Sequence, residues 1–428
     1  MGGVEGRARS VPELVAPAGT PQKLLTALRF GADAVYLGLK RFSMRAAAGN
    51  FTFDELEWGI GQARAQQRKV YVTLNIQPFD DDLAGLEESL RVLAALRPDA
   101  VILADPAVLL LARQLAPALP LHISTQASVT NAQAGLFWHS QGCRRIVVAR
   151  ELSLPRLAAV TAALRVAGGE AEAFVHGAVC IAFSGRCLLS LYWAGRDPRR
   201  GACAQGCRWE YREVEDGRRP GLGNPVLEDE RGTHFFDAKD LCALPLLEEL
   251  VATGVHALKI EGRTRSPNYL AGTVDVYRQA LDLLAAGDLP GLRAARPRMQ
   301  AELARCSPRP FSTHFYGGEE DLLSSYSPGG SPAAGPPEYL GEVTGGRAGE
   351  IELVLCNPVK PGDLIEVRDV GLQQTSGVVQ GLVDGAGDPL AAGRPGQVVR
   401  ILGSLGAAPG AIVRLAPAAS QPGLSGLP

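Results

Sequence analysis

The sequence predicts a (β/α)8 TIM-like barrel with a cysteine-rich insertion, followed by a small C-terminal β-barrel domain. Three observations carry this. Short β-rich runs alternate with helix-like stretches from Glu13 to Glu261, a break late in that rhythm holds a cluster of cysteines, and after Pro337 the pattern changes to short alternating runs set off by glycine and proline.

The β-rich runs are Glu13 to Pro17, Ala34 to Gly38, Val70 to Ile76, Ala100 to Ala104, Leu121 to Thr125, Arg145 to Ala149, Ala171 to His176 and Ala257 to Glu261. Amphipathic stretches such as Asp54 to Gln67 and Leu83 to Leu96 lie between them, so the order is repeated βα, which implies a parallel sheet with helices outside. An open doubly wound sheet is the alternative, but no GxGxxG or Walker-type phosphate loop follows an early strand. At 428 residues the chain exceeds one ordinary domain; an α/β barrel of about 250 residues plus a smaller unit is the natural division. We place the barrel in residues 1–330 with its insertion at 177–245, the small β-barrel in 337–405, and an Ala/Pro/Gly-rich tail with the composition of disorder in 406–428. The phrase NPVKPGDLIEV, Asn357 to Val367, puts Pro361 and Gly362 in a turn before an alternating strand of the small barrel.

Composition narrows the classes. Hydrophobic residues make up 46% and charged residues 21%, as in ordinary globular enzymes. No apolar run reaches the roughly 18 residues of a membrane span. The N-terminus, MGGVEGRARSVPE, lacks an apolar signal core, so the expected location is the cytoplasm, where thiols stay reduced and clustered cysteines favour a metal site. A net charge of −2 argues against non-specific coating of nucleic acid and leaves room for a local basic patch.

In a (β/α)8 barrel the active site gathers at the C-terminal ends of the strands. Those ends carry Arg45 and Asn50, then Asn75, Asp105, Ser124 and Gln126, Glu151, His176, and finally Lys259, Glu261 and Arg263. Each alone serves as well for capping or barrel packing; together they outline a polar, partly cationic pocket. Arg45, Lys259 and Arg263 are placed to clamp carboxylates, and Asn75, Gln126 and Glu151 to read a base or an organic acid.

Between the seventh and eighth strands fall Cys180, Cys187, Cys203 and Cys207, spaced C-x6-C-x15-C-x3-C, with Cys242 behind them as an alternative ligand. Thiolates suit zinc or an iron–sulfur cluster. All-cysteine zinc sites usually come as two C-x2-C knuckles, which neither spacing fits, whereas a cluster tolerates irregular spacing. The segment Gly195 to Glu210 is rich in Gly and Arg and reads as a loop wrapped around bound metal. Arg186, Arg196, Arg199, Arg200, Arg208 and Trp209 are interleaved with the thiols and suit RNA phosphates and unstacked bases; balancing the charge of a thiolate-ligated cluster is the alternative use of the arginines.

The run FVHGAVCIAFSGRC, Phe174 to Cys187, resembles the signature of the U32 peptidase-like family. So do PELVAPAGT (Pro12 to Thr20), GADAVYLG (Gly31 to Gly38), GACAQGCRWEY (Gly201 to Tyr211) and LKIEGRTRS (Leu258 to Ser266). Within that family the chain is most similar to the tRNA uridine hydroxylation proteins, through RDPRRGAC, CRWEY and its length. The resemblance implies a 4Fe–4S cluster and oxygen-independent hydroxylation of uridine 34 of tRNA, with prephenate as co-substrate and an electron partner outside the chain. It implies Cys180, Cys187 and Cys203 as ligands, with Cys207 ahead of Cys242 for the fourth place. Relatives act on a cytidine of ribosomal RNA or on ubiquinone precursors, and the peptidase label reflects an older collagenase-like assignment. A peptidase needs a thiol beside an orienting histidine, or an H-E-x-x-H helix, and the sequence displays neither constellation. A non-enzymatic RNA-binding protein with a structural cluster is the contrasting class.

Overall fold

The computed structural model describes residues 11–208, 227–229, 232–234, 238–307, 309–318, 325, 339–347 and 349–416. Seven parallel strands follow in order: β1 (Glu13–Pro17), β2 (Ala34–Gly38), β3 (Lys69–Leu74), β4 (Ala100–Leu103), β5 (Leu121–Ile123), β6 (Cys143–Val147) and β7 (Glu170–Ala178). A short hairpin, β8 (Leu227–Asp229) and β9 (Gly232–His234), and β10 (Asp240–Cys242) precede β11 (Ala257–Ile260). β11 pairs in parallel with both β1 and β7 and closes an eight-stranded barrel, as the βα rhythm predicts. β10 runs antiparallel on the outer end of β7, and β12 (Phe311–Ser312) pairs beside it.

Helices α1 (Pro21–Arg29), α2 (Phe53–Ala65), α3 (Leu83–Leu96), α4 (Pro106–Leu115), α5 (Ala132–Ser140) and α6 (Leu154–Val166) connect the early strands. Local chemistry sets their starts. Thr20 caps α1 ahead of Pro21, and Thr52 with Glu55 forms a reciprocal capping box on α2. Further along lie α7 (Leu189–Ala194), α8 (Leu247–Ala252), α9 (Pro267–Ala285) and α10 (Leu289–Cys306). The main apolar core lies between strands and helices, while Val15, Tyr36, Tyr71, Ile102 and Ala257 fill the lumen.

The lumen is polar at its base. Arg145 bridges Glu13 (2.7 Å), Glu170 (2.7 Å) and Glu172 (3.3 Å), and Lys259 Nζ reaches Glu172 at 2.8 Å. Against its own burial, Glu172 and Glu13 hold the Arg145 guanidinium charged.

The small domain comprises β13 (Tyr339–Arg347), β14 (Glu350–Val354), β15 (Leu364–Asp369), β16 (Gln373–Val378), β17 (Gly381–Asp384), β18 (Val398–Leu402) and β19 (Ile412–Leu415). They form one antiparallel sheet, ordered β16-β15-β19-β13-β14-β18-β17 and curved as a half-barrel around Leu340, Leu353, Val367, Val399 and Val413. β19 lies inside the stretch whose composition reads as a tail. Its IVRL pattern pairs with β13 and β15, and residues 417–428 lie outside the described residues. β16 escapes sequence reading because QQTSGV is polar and exposed along its length.

Buried charges fasten this domain to the barrel. Arg414 makes a two-pronged pair with Glu302 of α10, both bonds 2.9 Å, and its Nε reaches Glu366 at 3.0 Å. Arg368 pairs with Asp275 of α9 at 2.9 Å, and Asp275 also accepts from the backbone N–H groups of Gly371 and Leu372. Arg29 of α1 meets Asp369 at 2.6 Å.

Candidate active site at the barrel mouth

The strand ends enclose a small, partly open cavity. Arg45, Asn75, Ser124, Gln126, Lys259, Glu261 and Arg263 all line it, so seven positions read from the strand ends meet in one place. Arg45 arrives on the loop after β2 and lies 3.3 Å from Glu261, which also accepts a 3.0 Å bond from the Tyr36 hydroxyl. Burial alone would push the Glu261 carboxyl up, but Arg45, Arg150 and Arg263 with the Tyr36 hydrogen bond hold it at about 2. Arg263 donates to Ser43 (2.6 Å) and Thr73 (3.2 Å), and its burial lowers it to about 10.

Asn75 is already engaged. Its amide donates to Ser124 at 3.1 Å and its oxygen accepts from Met44 N, so it braces the loop that carries Arg45. Gln126 is different, because its buried Oε1 has no hydrogen-bond partner.

Two residues read from the strand ends lie away from this cavity. Glu151 does not line the cavity; its neighbour Arg150 does, with its guanidinium 4.0 Å over the Phe174 ring, one nitrogen donating to Ala178 O, and its buried Nε unpartnered. Burial raises the Glu151 carboxyl. His176 leaves the mouth altogether. β11 pairs Lys259 with Phe174 and then Ile260 with His176, so a bulge inserts one extra β7 residue and reverses the alternation. The imidazole therefore turns outward, among Tyr269, Tyr277 and Phe311, with Nδ1 3.3 Å from the Tyr277 hydroxyl. Burial and then Arg265 lower it to about 3, so it is neutral.

A second, larger open cavity adjoins the first and is lined by Cys180, Cys203 and Cys207. Arg45, Cys180 and Glu261 line both, so the Arg45–Glu261 pair is the wall between them. Arg265 and Arg309 add cationic lining on the thiol side. The Arg45 guanidinium is held firmly charged, by Glu261 first, against its own desolvation, and then by the thiols of Cys180 and Cys203.

The backbone brings these segments close at two glycines. Gly177 has φ +109°, and a Cβ there would strike Glu261 O; Gly201 has φ +86°, and a Cβ there would strike Ser43 O. The insertion thus lies directly on the loop that carries Arg45.

Cys187 ends the same loop as Cys180 and is half-buried. Cys242 is apart from both cavities, packed in the barrel core with its thiol 3.7 Å from the Tyr277 hydroxyl, and burial raises it. Three thiols facing one cavity fit the donor chemistry of a thiolate-held group. Among the described residues, no three or more His, Cys, Asp or Glu side chains are gathered closely enough to hold a metal ion.

Of the arginines assigned to RNA, Arg199 and Arg200 are used internally. Arg199 pairs with Asp197 (2.8 Å) and Arg200 with Asp82 (2.6 Å), and both lie over the Phe79 ring, pinning the insertion to the loop before α3. Arg186 and Arg196 are exposed. The Arg208 side chain and Trp209 lie outside the described residues. Sequence reading missed Tyr36 and Thr73, whose signal is the inward parity of β2 and β3, and Ser43 on the loop after β2, which supports Arg263.

A profile of peptidase family U32 matches residues 19–325. The chain belongs to peptidase family U32. The matched span of this U32 chain contains both cavities. The tRNA hydroxylation protein P of Escherichia coli (strain K12) is 35% identical over 404 residues, covering 83% of this chain and 86% of that protein. The tRNA hydroxylation protein P of Helicobacter pylori (strain J99) is 46% identical over 273 residues, 63% of this chain and 64% of that protein. A collagenase of Porphyromonas gingivalis (strain W83) is 31% identical over 316 residues, 72% of this chain and 74% of that protein. Among the described residues of the U32 chain, no helix is long and apolar enough to cross a membrane.

Proposed function

We propose that this chain hydroxylates tRNA, forming 5-hydroxyuridine at uridine 34 without molecular oxygen and with prephenate as co-substrate. The observation that carries the reading is the shared wall: a cationic cavity and a thiol-lined cavity meet across Arg45 and Glu261. The names of the E. coli and H. pylori relatives support the tRNA hydroxylation part of this reading.

Charge supports the co-substrate. Arg45, Arg150, Lys259 and Arg263 face or line the first cavity, against Glu261 and the Glu172 that pairs with Lys259. Four cations against two carboxylates leave two positive charges, which match a dicarboxylate. Arg263 and Arg45 are the clamps in this reading, while Lys259 is tied to Glu172 and sets the floor. The unpartnered Gln126 Oε1 accepts the N3–H of a uracil ring, and Glu261 orients Arg45.

Cys180, Cys187, Cys203 and Cys207 would hold a 4Fe–4S cluster, which when bound supplies one-electron or Lewis-acid chemistry. Cys242 serves as a core residue. The only Cys–Tyr–His chain we recognise among the described residues, Cys242, Tyr277 and His176, is sealed in the barrel wall and its thiol is raised by burial, which disfavours a nucleophilic peptidase. Nucleoside mass spectrometry of tRNA from cells with and without the gene tests the proposal. Loss of 5-hydroxyuridine derivatives is expected; intact tRNA with altered ribosomal RNA or quinones would move the activity to another substrate.

A further inference from the structure

Helix α7 has two dissimilar faces. Inward, buried Ser190 accepts a 3.0 Å bond from Ala204 N and lies 3.6 Å from Cys203 Sγ, and the helix packs on the turn Gly206–Arg208 that holds Cys207. Outward, α7 and the loop before it expose Phe183 (42%), Leu188 (51%), Tyr192 (83%) and Trp193 (38%). Other exposed apolar side chains, such as Leu110 and Val166, stand singly on their helices. A concentration of this kind marks a binding surface.

Its chemistry selects the occupant. The Tyr192 and Trp193 rings are in edge contact, 6.2 Å between centroids, and the Tyr192 ring is the most exposed apolar surface of the group. Arg186 and Arg196, both exposed, bracket them, and among the described residues neither has a carboxylate within ion-pair reach, unlike Arg199 and Arg200. Aromatic faces flanked by unpaired guanidinium groups match unstacked bases and their phosphates. A purely apolar partner would leave both charges unanswered.

We propose that this face of α7, with Arg186 and Arg196, is a stacking platform for unpaired bases of the RNA substrate, seating the strand beside the thiol cavity. The assignment rests on the RNA reading above, while its own evidence is the exposed aromatic and cationic surface. The probe is a fluorescein-labelled RNA hairpin with a uridine-containing single-stranded loop, titrated against the full-length, cluster-loaded protein by anisotropy, with a fully paired duplex as control. Tyr192→Ala weakens hairpin binding by about five- to hundredfold, the loss of one stacked base, while Tyr192→Phe stays near wild type and duplex binding is unchanged. Arg186→Gln and Arg196→Gln each reduce the salt slope by about one. Equal hairpin affinity of wild type and Tyr192→Ala overturns the platform and leaves the RNA reading intact. A wild-type protein that binds no hairpin overturns the RNA reading itself. Concentration-dependent dimerisation lost in Tyr192→Ala, with hairpin affinity unchanged, assigns the face to a second copy and overturns the proposal.

Discussion

Two additions to the barrel are held in contrasting ways. The C-terminal half-barrel has its own apolar core and is locked to α9 and α10 by buried, multiply bonded ion pairs: Arg414 with Glu302 and Glu366, and Arg368 with Asp275. The cysteine-rich insertion sits on the barrel mouth through partly exposed pairs such as Arg200–Asp82, through backbone contact between Ala46 N and Gly201 O, and through one short helix. A domain with a core can be fastened by its own side chains. In the function proposed above, the cluster would fix the insertion through its thiols.

The largest effect should come from the fully buried lock. Glu302→Ala strands Arg414 and Arg368 without their shared carboxylate, which is expected to cost about 3–5 kcal/mol; urea unfolding measures it, and a change below about 1 kcal/mol would place the strength of the interface elsewhere. Acid attacks the same lock. Burial pushes the Glu302 carboxyl up, but the Arg414 hydrogen bond and Arg368 pull it below 4.5. Its contribution is therefore complete above pH 4.5, the unfolded value, and is lost as pH falls below that through the folded value. Glu302→Gln should flatten this part of the stability profile. Glu261 behaves alike, with a loss that extends down to pH about 2.

Removal of bound metal by chelation should free the insertion while leaving the barrel and half-barrel folded. Limited proteolysis then cuts within residues 180–208, and urea unfolding of the remainder shifts little; a protein that unfolds globally on chelation contradicts the contrast between the two additions. Smallest of all is Arg200→Ala. A pair exposed to this degree is worth about 0–1 kcal/mol, so iron content and midpoint should barely move.

Much of this architecture was legible in the residues because the barrel is built by local alternation: runs such as AVYLG and AVIL have the parity and spacing of strands between capped helices. The placement of Arg45, Gln126, Glu261 and Arg263 followed from a rule about strand ends. His176 defeated the same rule, since a one-residue bulge has no signal in the sequence and reverses the face of every side chain beyond it. Arg150 against Glu151 is an error of one position where a strand ends. The interdomain lock was out of reach for another reason. Glu302 and Arg414 are 112 positions apart, and nothing local in either marks the other as partner. Arg199 and Arg200 read as RNA contacts until Asp197 and Asp82 are seen beside them.

The central claim is that the cationic and thiol cavities act as one site through the wall they share. Its most direct test is Arg45→Ala, assayed together for bound iron and for 5-hydroxyuridine formed in tRNA with prephenate under exclusion of oxygen. Wild-type iron content with at least about a hundredfold loss of hydroxylation is expected, as when a preorganised charged contact is removed. Full hydroxylation by Arg45→Ala, with iron retained, would contradict it.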